Sequence, residues 1–381
     1  MTENKQPGSQ QPDMDYGDGF YVSSAKKNAI TRPRTPKPQQ MPVKKKKKSG
    51  CFGKLISFLL IAIAVILIIT GIYLISVLSR INYTGENPDH SISENDGIIL
   101  RDDSNITNIL LFGEDNHKEN EHGRADTMIL LTIDKKHNQL KQTSFMRDIY
   151  LYIPGQGYNK LNAAYVFGGP KLAAETIEYN FGIKIDNYLI VDFNSFTDIV
   201  DSLGGIDLEL TYDEIEYINM QSLRNHQTDK EKELDPDSYT YYTNAKDETV
   251  AKVHLIGRQA LWYARDRDSA GSDFDRTNRQ RTVINTILNK FKSSNPITLM
   301  SAIYSASPYI STNMSSSGLF GNGFEIFLAL NYERFEHRIP SMDNYYDVWN
   351  ESGLALQIAD TELENQRLYD FVFGDASSEK E

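Results

Sequence analysis

Three regimes of hydrophobic and polar patterning follow one another along the chain. Residues 1–43 are rich in Gln, Pro, Ser, Asp and Lys with few aliphatic side chains. Such a segment cannot repay the entropy of ordering and is expected to be disordered. Leu55 to Ser79 then runs for twenty-five residues without a charge. At ~1.5 Å per residue this exceeds a ~30 Å hydrocarbon core and predicts one transmembrane helix over 55–79. A signal peptide would have an apolar region of about 7 to 15 residues and a small-residue cleavage site. This longer run continues into Ser76-Val77-Leu78-Ser79-Arg80 and predicts a retained anchor.

The third regime starts near Thr107, after a polar stalk over 80–105. TNILLFG (107–113), TMILLTI (127–133), QLKQTSFM (139–146), YLIVDF (188–193) and IDLEL (206–210) are short, apolar and bounded by turn signals, as strands are. Asn162–Phe181 and Asn194–Leu203 carry apolar residues at three- and four-residue intervals, and the second closes on Gly204-Gly205. The alternation predicts an α/β (mixed α+β) domain over 106–375, a central mixed β-sheet sandwiched by helices, with a short tail over 376–381. Residues 212–250 are polar without an evident apolar face and read as an insertion, either a solvated loop or a substrate lid. Helical periodicity returns near Gly257 and is strong from Asp273 to Phe291.

Charge adds orientation. Residues 1–54 hold twelve Lys/Arg against four Asp/Glu, net +8, and the rest of the chain 28 against 48, net −20. Lys44 to Lys48 and Lys54 precede the span, and cationic flanks stay cytoplasmic, so the bulk of the chain is expected outside the cell. The lysine block beside a span suits anionic membrane lipid. Nucleic acid is not expected as a partner of a domain with that acidic balance. Cys51 is the only cysteine, so no disulfide forms within one chain.

Nucleotide-loop, dinucleotide, HExxH and GxSxG motifs are absent, and the seven histidines are scattered. What remains is anion chemistry in three places. In GEDNHKENEHGRADTM, Asp115 follows the first core strand and Arg124 and Asp126 introduce the second. Two aspartates there are either turn residues or oxygen donors for a divalent cation such as Mg²⁺. In SFMRDIYLYIPGQGYNK, Arg147 and Asp148 leave a strand and Lys160 precedes a helix. In YARDRDSAGSDFDRTNRQR, residues 263–281, five arginines and four aspartates occupy nineteen positions. Arg276 and Gln280 share one helix face with Arg279 beside them, and Arg265 and Arg267 share a face if extended. Guanidinium groups meet phosphate oxygens two at a time. A surface laced with Arg–Asp pairs is the alternative, but such pairs contribute only ~0–1 kcal/mol each.

The series NILLFGED, RADTM, RDIYLYIPGQGYNKLNAAY, VDF, VDSLGGID, GRQALWYARDR and DFDRTNRQ resembles the LytR-CpsA-Psr family of cell-wall glycopolymer ligases over roughly 106–293. The resemblance implies a Mg²⁺-dependent phosphotransferase on the outer membrane face of a Gram-positive type bacterium. It would move a teichoic-acid or capsular-type polymer from a polyprenyl-pyrophosphate carrier to peptidoglycan, with an apolar pocket for the prenyl chain. It further implies Asp115 and Asp126 as metal ligands. Arg124, Arg147, Lys160, Arg265, Arg267, Arg276, Arg279 and Gln280 would surround the pyrophosphate, with Arg147, Asp126 and Arg267 catalytic. Asp126 or Asp148 would take the hydroxyl proton. The family pattern usually has Pro where this chain has Met146. Hydrolysis of the lipid pyrophosphate, a membrane-bound transcriptional attenuator and a lipid-binding module are the other readings.

Overall fold

The computed structural model describes residues 51–115, 123–224, 233–267, 269, 273–351 and 353–377. The segment expected to be disordered, residues 1–43, lies outside that set. The chain divides into two units, Met1–Ala62 and Ile63–Glu381. What is described of the first is the opening of helix α1 (Cys51–Leu78), whose stretch Lys54–Leu78 is long and apolar enough to cross a membrane.

The second unit continues through β1 (Asn82–Tyr83), α2 (Ser91–Asn95), β2 (Ile106–Asp115), β3 (Arg124–Asp134), β4 (Gln139–Phe145), β5 (Tyr150–Ile153), β6 (Gly157–Lys160), α3 (Leu161–Phe181), β7 (Asn187–Asp192), α4 (Phe193–Ser202), β8 (Ile206–Leu210) and α5 (Tyr212–Arg224). Beyond these come β9 (Tyr241–Thr243), β10 (Thr249–Leu255), α6 (Gly257–Arg265), α7 (Asp273–Ser293), α8 (Pro296–Ala306), β11 (Ile310–Thr312), α9 (Ser316–Ala329), β12 (Glu333–Ile339), β13 (Tyr345–Asn350), β14 (Gly353–Ile358) and α10 (Thr361–Phe373).

The main sheet has the order β1-β11-β7-β2-β3-β4-β12 and is mixed as expected. β3 runs antiparallel to both β2 and β4, while β7 joins β2, and β12 joins β4, in parallel. Alternate residues of its central strands serve two cores, because successive strand side chains point to opposite faces. Leu110, Phe112, Met128 and Leu130 pack with α3 and α10, whereas Ile109, Leu131 and Ile133 pack with α9. Burial on both faces explains the nearly continuous apolar runs of these strands.

IDLEL belongs to a different sheet, β8-β10-β9, with inward residues alternating with exposed ones. The 212–250 stretch also departs from expectation. Its first third is the helix α5, which buries Ile215 and Ile218 in a second core with Leu208, Val253 and Trp262. Two buried residues three apart are too few to stand out against Asp, Glu, Asn and Gln. Residues 225–232 lie outside the described set.

α3 is broken where the sequence predicted one helix. Gly168 and Gly169 leave helical geometry before Pro170, and Gly169 has φ 65° and ψ −161°, open essentially to glycine alone. Val166 and Phe167, just before the break, are exposed, while Leu161, Ala164 and Tyr165 before it and Ala173, Ala174, Ile177 and Phe181 after it stay in the core.

Candidate active site

Strand direction brings the candidate residues to one end of the main sheet. β2 ends at Asp115, β3 begins at Arg124, β4 ends just before Met146-Arg147-Asp148, and β7 ends at Asp192. Because β3 is antiparallel to β2 and β4, and β7 parallel to β2, all four of these ends coincide. Asp115 stands directly across from Arg124, and cross-strand partners share a face; Asp126 is the extra residue of a bulge, because Gly113 pairs with Thr127 and Glu114 with Ala125. That register shift leaves Asp126 without a strand partner and re-aims the start of β3, as bulges beside sites do.

Arg147 is the hub. Its Nη1 donates to Asp126 Oδ1 at 2.6 Å, its Nε to Asp148 Oδ2 at 3.2 Å, and its Nη2 lies 3.6 Å from Asp273 Oδ1. Arg267 Nη2 reaches the other oxygen of Asp126 at 3.5 Å, and Lys160 Nζ the other oxygen of Asp148 at 3.1 Å. Burial opposes the charge of Asp126, but Arg147, Arg276 and Arg267 outweigh it and hold the carboxyl below the usual carboxylate range. Burial likewise works against Arg147, and Asp126, Asp273 and Asp148 outweigh it, raising its pKa.

Met146 helps to hold this hub. Its backbone N–H donates to the Ile339 carbonyl at 2.9 Å, a bond that proline could not make. The substitution thus prolongs the β4–β12 pairing by one bond beyond the strand end.

Arg276, in the first turns of α7, is 3% exposed and donates through Nη2 to Asp273 Oδ2 at 2.8 Å. Its Nε and Nη1 are buried and meet no acceptor among the described residues. Burial pulls its pKa down to about 10, so the guanidinium keeps its charge at neutral pH at a cost.

A cleft of about 460 Å³ opens over the hub, lined by Arg124, Arg147, Asp148, Lys160 and Arg267, with Asn159, Asn162, Ala163, Val166 and Phe167. That volume lies in the ~300–1,000 Å³ range of small-molecule sites. Four cations of the lining, Arg124, Arg147, Lys160 and Arg267, stand against one carboxylate of the lining, Asp148, an excess that suits an anion. The apolar part of the lining is Ala163, Val166 and Phe167, on the part of α3 that precedes its break.

Other predicted residues stand elsewhere. Arg265 closes α6, lies 4.1 Å over the Phe193 ring and donates to Asp115 Oδ2 at 3.1 Å, outside the cleft lining. Gln280 is half-buried on α7 and does not line the cleft. Arg279, expected beside the pyrophosphate, does not line the cleft. It is buried, donating to Glu214 Oε1 at 2.9 Å and to the Asp266 carbonyl at 3.0 Å, so it fastens the Arg265–Arg267 segment from behind. Its partner Glu214 lies in the stretch read as a solvated loop, which hid the pairing. Arg281 likewise ties α7 to Glu336 and Ser144. Asn159 and Asn162 were not singled out, and only their flanking of Lys160 hinted at them.

Asp115 and Asp126 fit a hard divalent cation in donor chemistry. They are oxygen-only ligands at the same end of neighbouring strands, and Mg²⁺ commonly takes one or two carboxylates and completes its shell with water and substrate phosphates. Among the described residues no group of three or more His, Cys, Asp or Glu could hold a metal by itself. A cation bound here would therefore depend on the substrate for much of its coordination.

Three comparisons bear on this arrangement. The sequence profile of the LytR_cpsA_psr family matches residues 70–362. Regulatory protein MsrR of Staphylococcus aureus (strain Mu50) is 28% identical over 278 residues, 72% of this chain and 76% of its own length. The polyisoprenyl-teichoic acid–peptidoglycan teichoic acid transferase TagV of Bacillus subtilis is 32% identical over 213 residues, 54% of this chain and 49% of its own. YwtF (TagT) of Bacillus subtilis, in a structure with bound octaprenyl pyrophosphate lipid, is 22% identical, covers 72% of this chain and 94% of its own, and superposes with a TM-score of 0.52. At that identity the last likeness is one of fold.

Proposed function

The chain belongs to the LytR_cpsA_psr family, and on that premise we propose that it is a phosphotransferase joining an anionic glycopolymer to peptidoglycan from a polyprenyl-pyrophosphate carrier. The observation that carries the reading is the anion-selective cleft: Arg147 held by three carboxylates, with Arg124, Lys160 and Arg267 around it and buried, under-bonded Arg276 behind. TagV's name supplies the substrate class, a polyprenyl-linked teichoic acid and peptidoglycan. The basic flank before α1 supports a reading in which the domain lies on the outer side of the membrane.

In the proposed reaction a peptidoglycan sugar hydroxyl attacks the phosphorus that bears the glycopolymer. The new O–P bond forms as the bridging P–O bond breaks, and polyprenyl phosphate leaves. Arg147, Arg267 and Arg276 neutralise charge spread over the phosphate oxygens, which is most of what such a transition state requires. Asp126 and Asp148, on either side of Arg147, are the carboxylates to which the hydroxyl proton can pass. Asp115 and Asp126 would hold Mg²⁺, whose bound charge would further neutralise the pyrophosphate. Val166 and Phe167 offer apolar surface to the first prenyl units.

The test is incubation of the protein with lipid-linked glycan, peptidoglycan and Mg²⁺, with detection of polymer covalently joined to peptidoglycan. Arg267→Ala is expected to abolish the joined product without unfolding the domain. Free polymer phosphate as the sole product would replace transfer by hydrolysis. MsrR's name favours a regulatory reading as the second. It would take precedence if the purified protein made no joined product and deletion of residues 1–43 altered transcription.

A further inference from the structure

From Ser293 to Phe324 the chain has no Asp, Glu, Lys or Arg, thirty-two residues in a protein that is 24% charged. At ordinary frequencies, about eight charges would be expected in a stretch of that length. Its first part is α8, which is apolar on two sides. Ala302 and Ala306 are buried, whereas Ile297, Ile303 and Tyr304 stand 80%, 40% and 39% exposed on the other side. Tyr309, just beyond α8, is also exposed. A soluble domain seldom shows a charge-free apolar helix face to water.

The last turns of α1 lie against this same helix. The Tyr73 hydroxyl donates to the Met300 carbonyl at 2.6 Å, the Tyr73 and Tyr304 rings are 6.5 Å apart, and the Arg80 guanidinium sits 4.1 Å over the Tyr304 ring. A hydrocarbon core takes about 20 helical residues. Counted from Leu55, that reaches Leu74, so Tyr73 stands at the far boundary of the hydrocarbon. Tyrosines at the boundary with an arginine just beyond are the usual residues of a membrane–water interface.

We propose that α8 is a membrane-docking helix, seating the domain on the outer leaflet of the bilayer that α1 crosses, with Ile297, Ile303, Tyr304 and Tyr309 in the interface. The bilayer is the occupant because the helix beside this face is the span itself, making the docking surface continuous with the span. Strand directions extend the consequence to the active site. β1 starts two residues after Arg80 and is parallel to β11, which is antiparallel to β7, itself parallel to β2. The C-terminal end of β2, with Asp115 and the arginine cluster, therefore faces the end of the sheet at which the chain leaves the membrane. Docking through α8 would hold the cleft at headgroup height, where a lipid-borne pyrophosphate lies.

The inference rests on α1 being a span, and the experiment separates the two claims. The full chain, with Cys51→Ser, is reconstituted in nanodiscs of phosphatidylglycerol and phosphatidylethanolamine. Nitroxide labels are placed singly at Ile66→Cys, Ile297→Cys, Ile303→Cys and Lys136→Cys. Lys136 lies in the β3–β4 turn, at the opposite end of the sheet. Collisions with oxygen, which concentrates in lipid, are compared with those of a water-soluble nickel chelate. The expected oxygen-to-nickel ratio at 297 and 303 is several-fold that at 136. A high ratio at 66 with ratios at 297 and 303 equal to that at 136 overturns docking alone. A low ratio at 66 overturns the span and the docking together.

Discussion

Arg276→Met separates a ligand-binding arginine from a structural one. Arg276 is almost fully buried, makes one ion pair, to Asp273, and leaves Nε and Nη1 without acceptors among the described residues. Burial pulls its pKa down to about 10, which at ~1.4 kcal/mol per pH unit corresponds to a penalty of about 3 kcal/mol carried by the folded protein. Methionine has similar reach and no charge, and replacing a buried charge by a well-packed apolar side chain is often neutral or stabilising by ~1–4 kcal/mol. Asp273 keeps Arg147 as a neighbour, so the expected change in unfolding free energy is within about 1 kcal/mol of zero. Function should respond in the opposite way. Two hydrogen bonds to a charged phosphate, at ~1.5–3 kcal/mol each, sum to about 3–6 kcal/mol, or ~10²- to 10⁴-fold in kcat/KM. The assay pairs urea unfolding in detergent with formation of glycan-joined peptidoglycan. The reasoning fails if Arg276→Met turns over at the wild-type rate, or if it loses more than about 3 kcal/mol of stability, which would make Arg276 a structural residue.

Two further predictions follow from neighbouring groups. Arg279→Met should behave in the reverse sense, because it removes the buried ion pair of Glu214, leaving that carboxylate only the Thr211 N–H among the described residues, and breaks the bond to the Asp266 carbonyl. A loss of about 3–5 kcal/mol in urea unfolding is expected, and wild-type stability would contradict the anchoring role. His337, stacked on Phe371 with Nε2 buried, has its pKa pushed down to about 4 by burial and then by Arg281, Arg367 and Arg338. Between that value and the unfolded ~6.5 the unfolded chain binds the extra proton, so stability rises with pH across this window and is lost on acidification, by about 3 kcal/mol from this group. His337→Phe should flatten the pH dependence of the urea midpoint between those limits, and an unchanged slope would rule the histidine out as its source.

Much was legible in the sequence because it depends on local periodicity. The charge-free run of α1 is set by length and composition, and the central strands by apolar runs long enough for a sheet buried on both faces. The arginine-rich segment also declared its chemistry, since guanidinium groups gathered in a chain of net charge −12 ask for an anion. What each arginine does could not be read from spacing. Arg276 and Arg279 are three residues apart on one helix, yet one keeps two buried guanidinium nitrogens without an acceptor among the described residues and the other is spent on Glu214, sixty-five positions earlier. Likewise IDLEL reads as a strand like the others, and only long-range pairing with β10 assigns it to the smaller sheet. Strand direction, fixed by which segments pair, brings Asp115, Arg124, Arg147 and Asp192 to the same sheet end and turns it toward α1. Composition and periodicity are properties of neighbours in sequence; convergence of charges is a property of the packed chain, and it decided which cations became a site and which became fasteners.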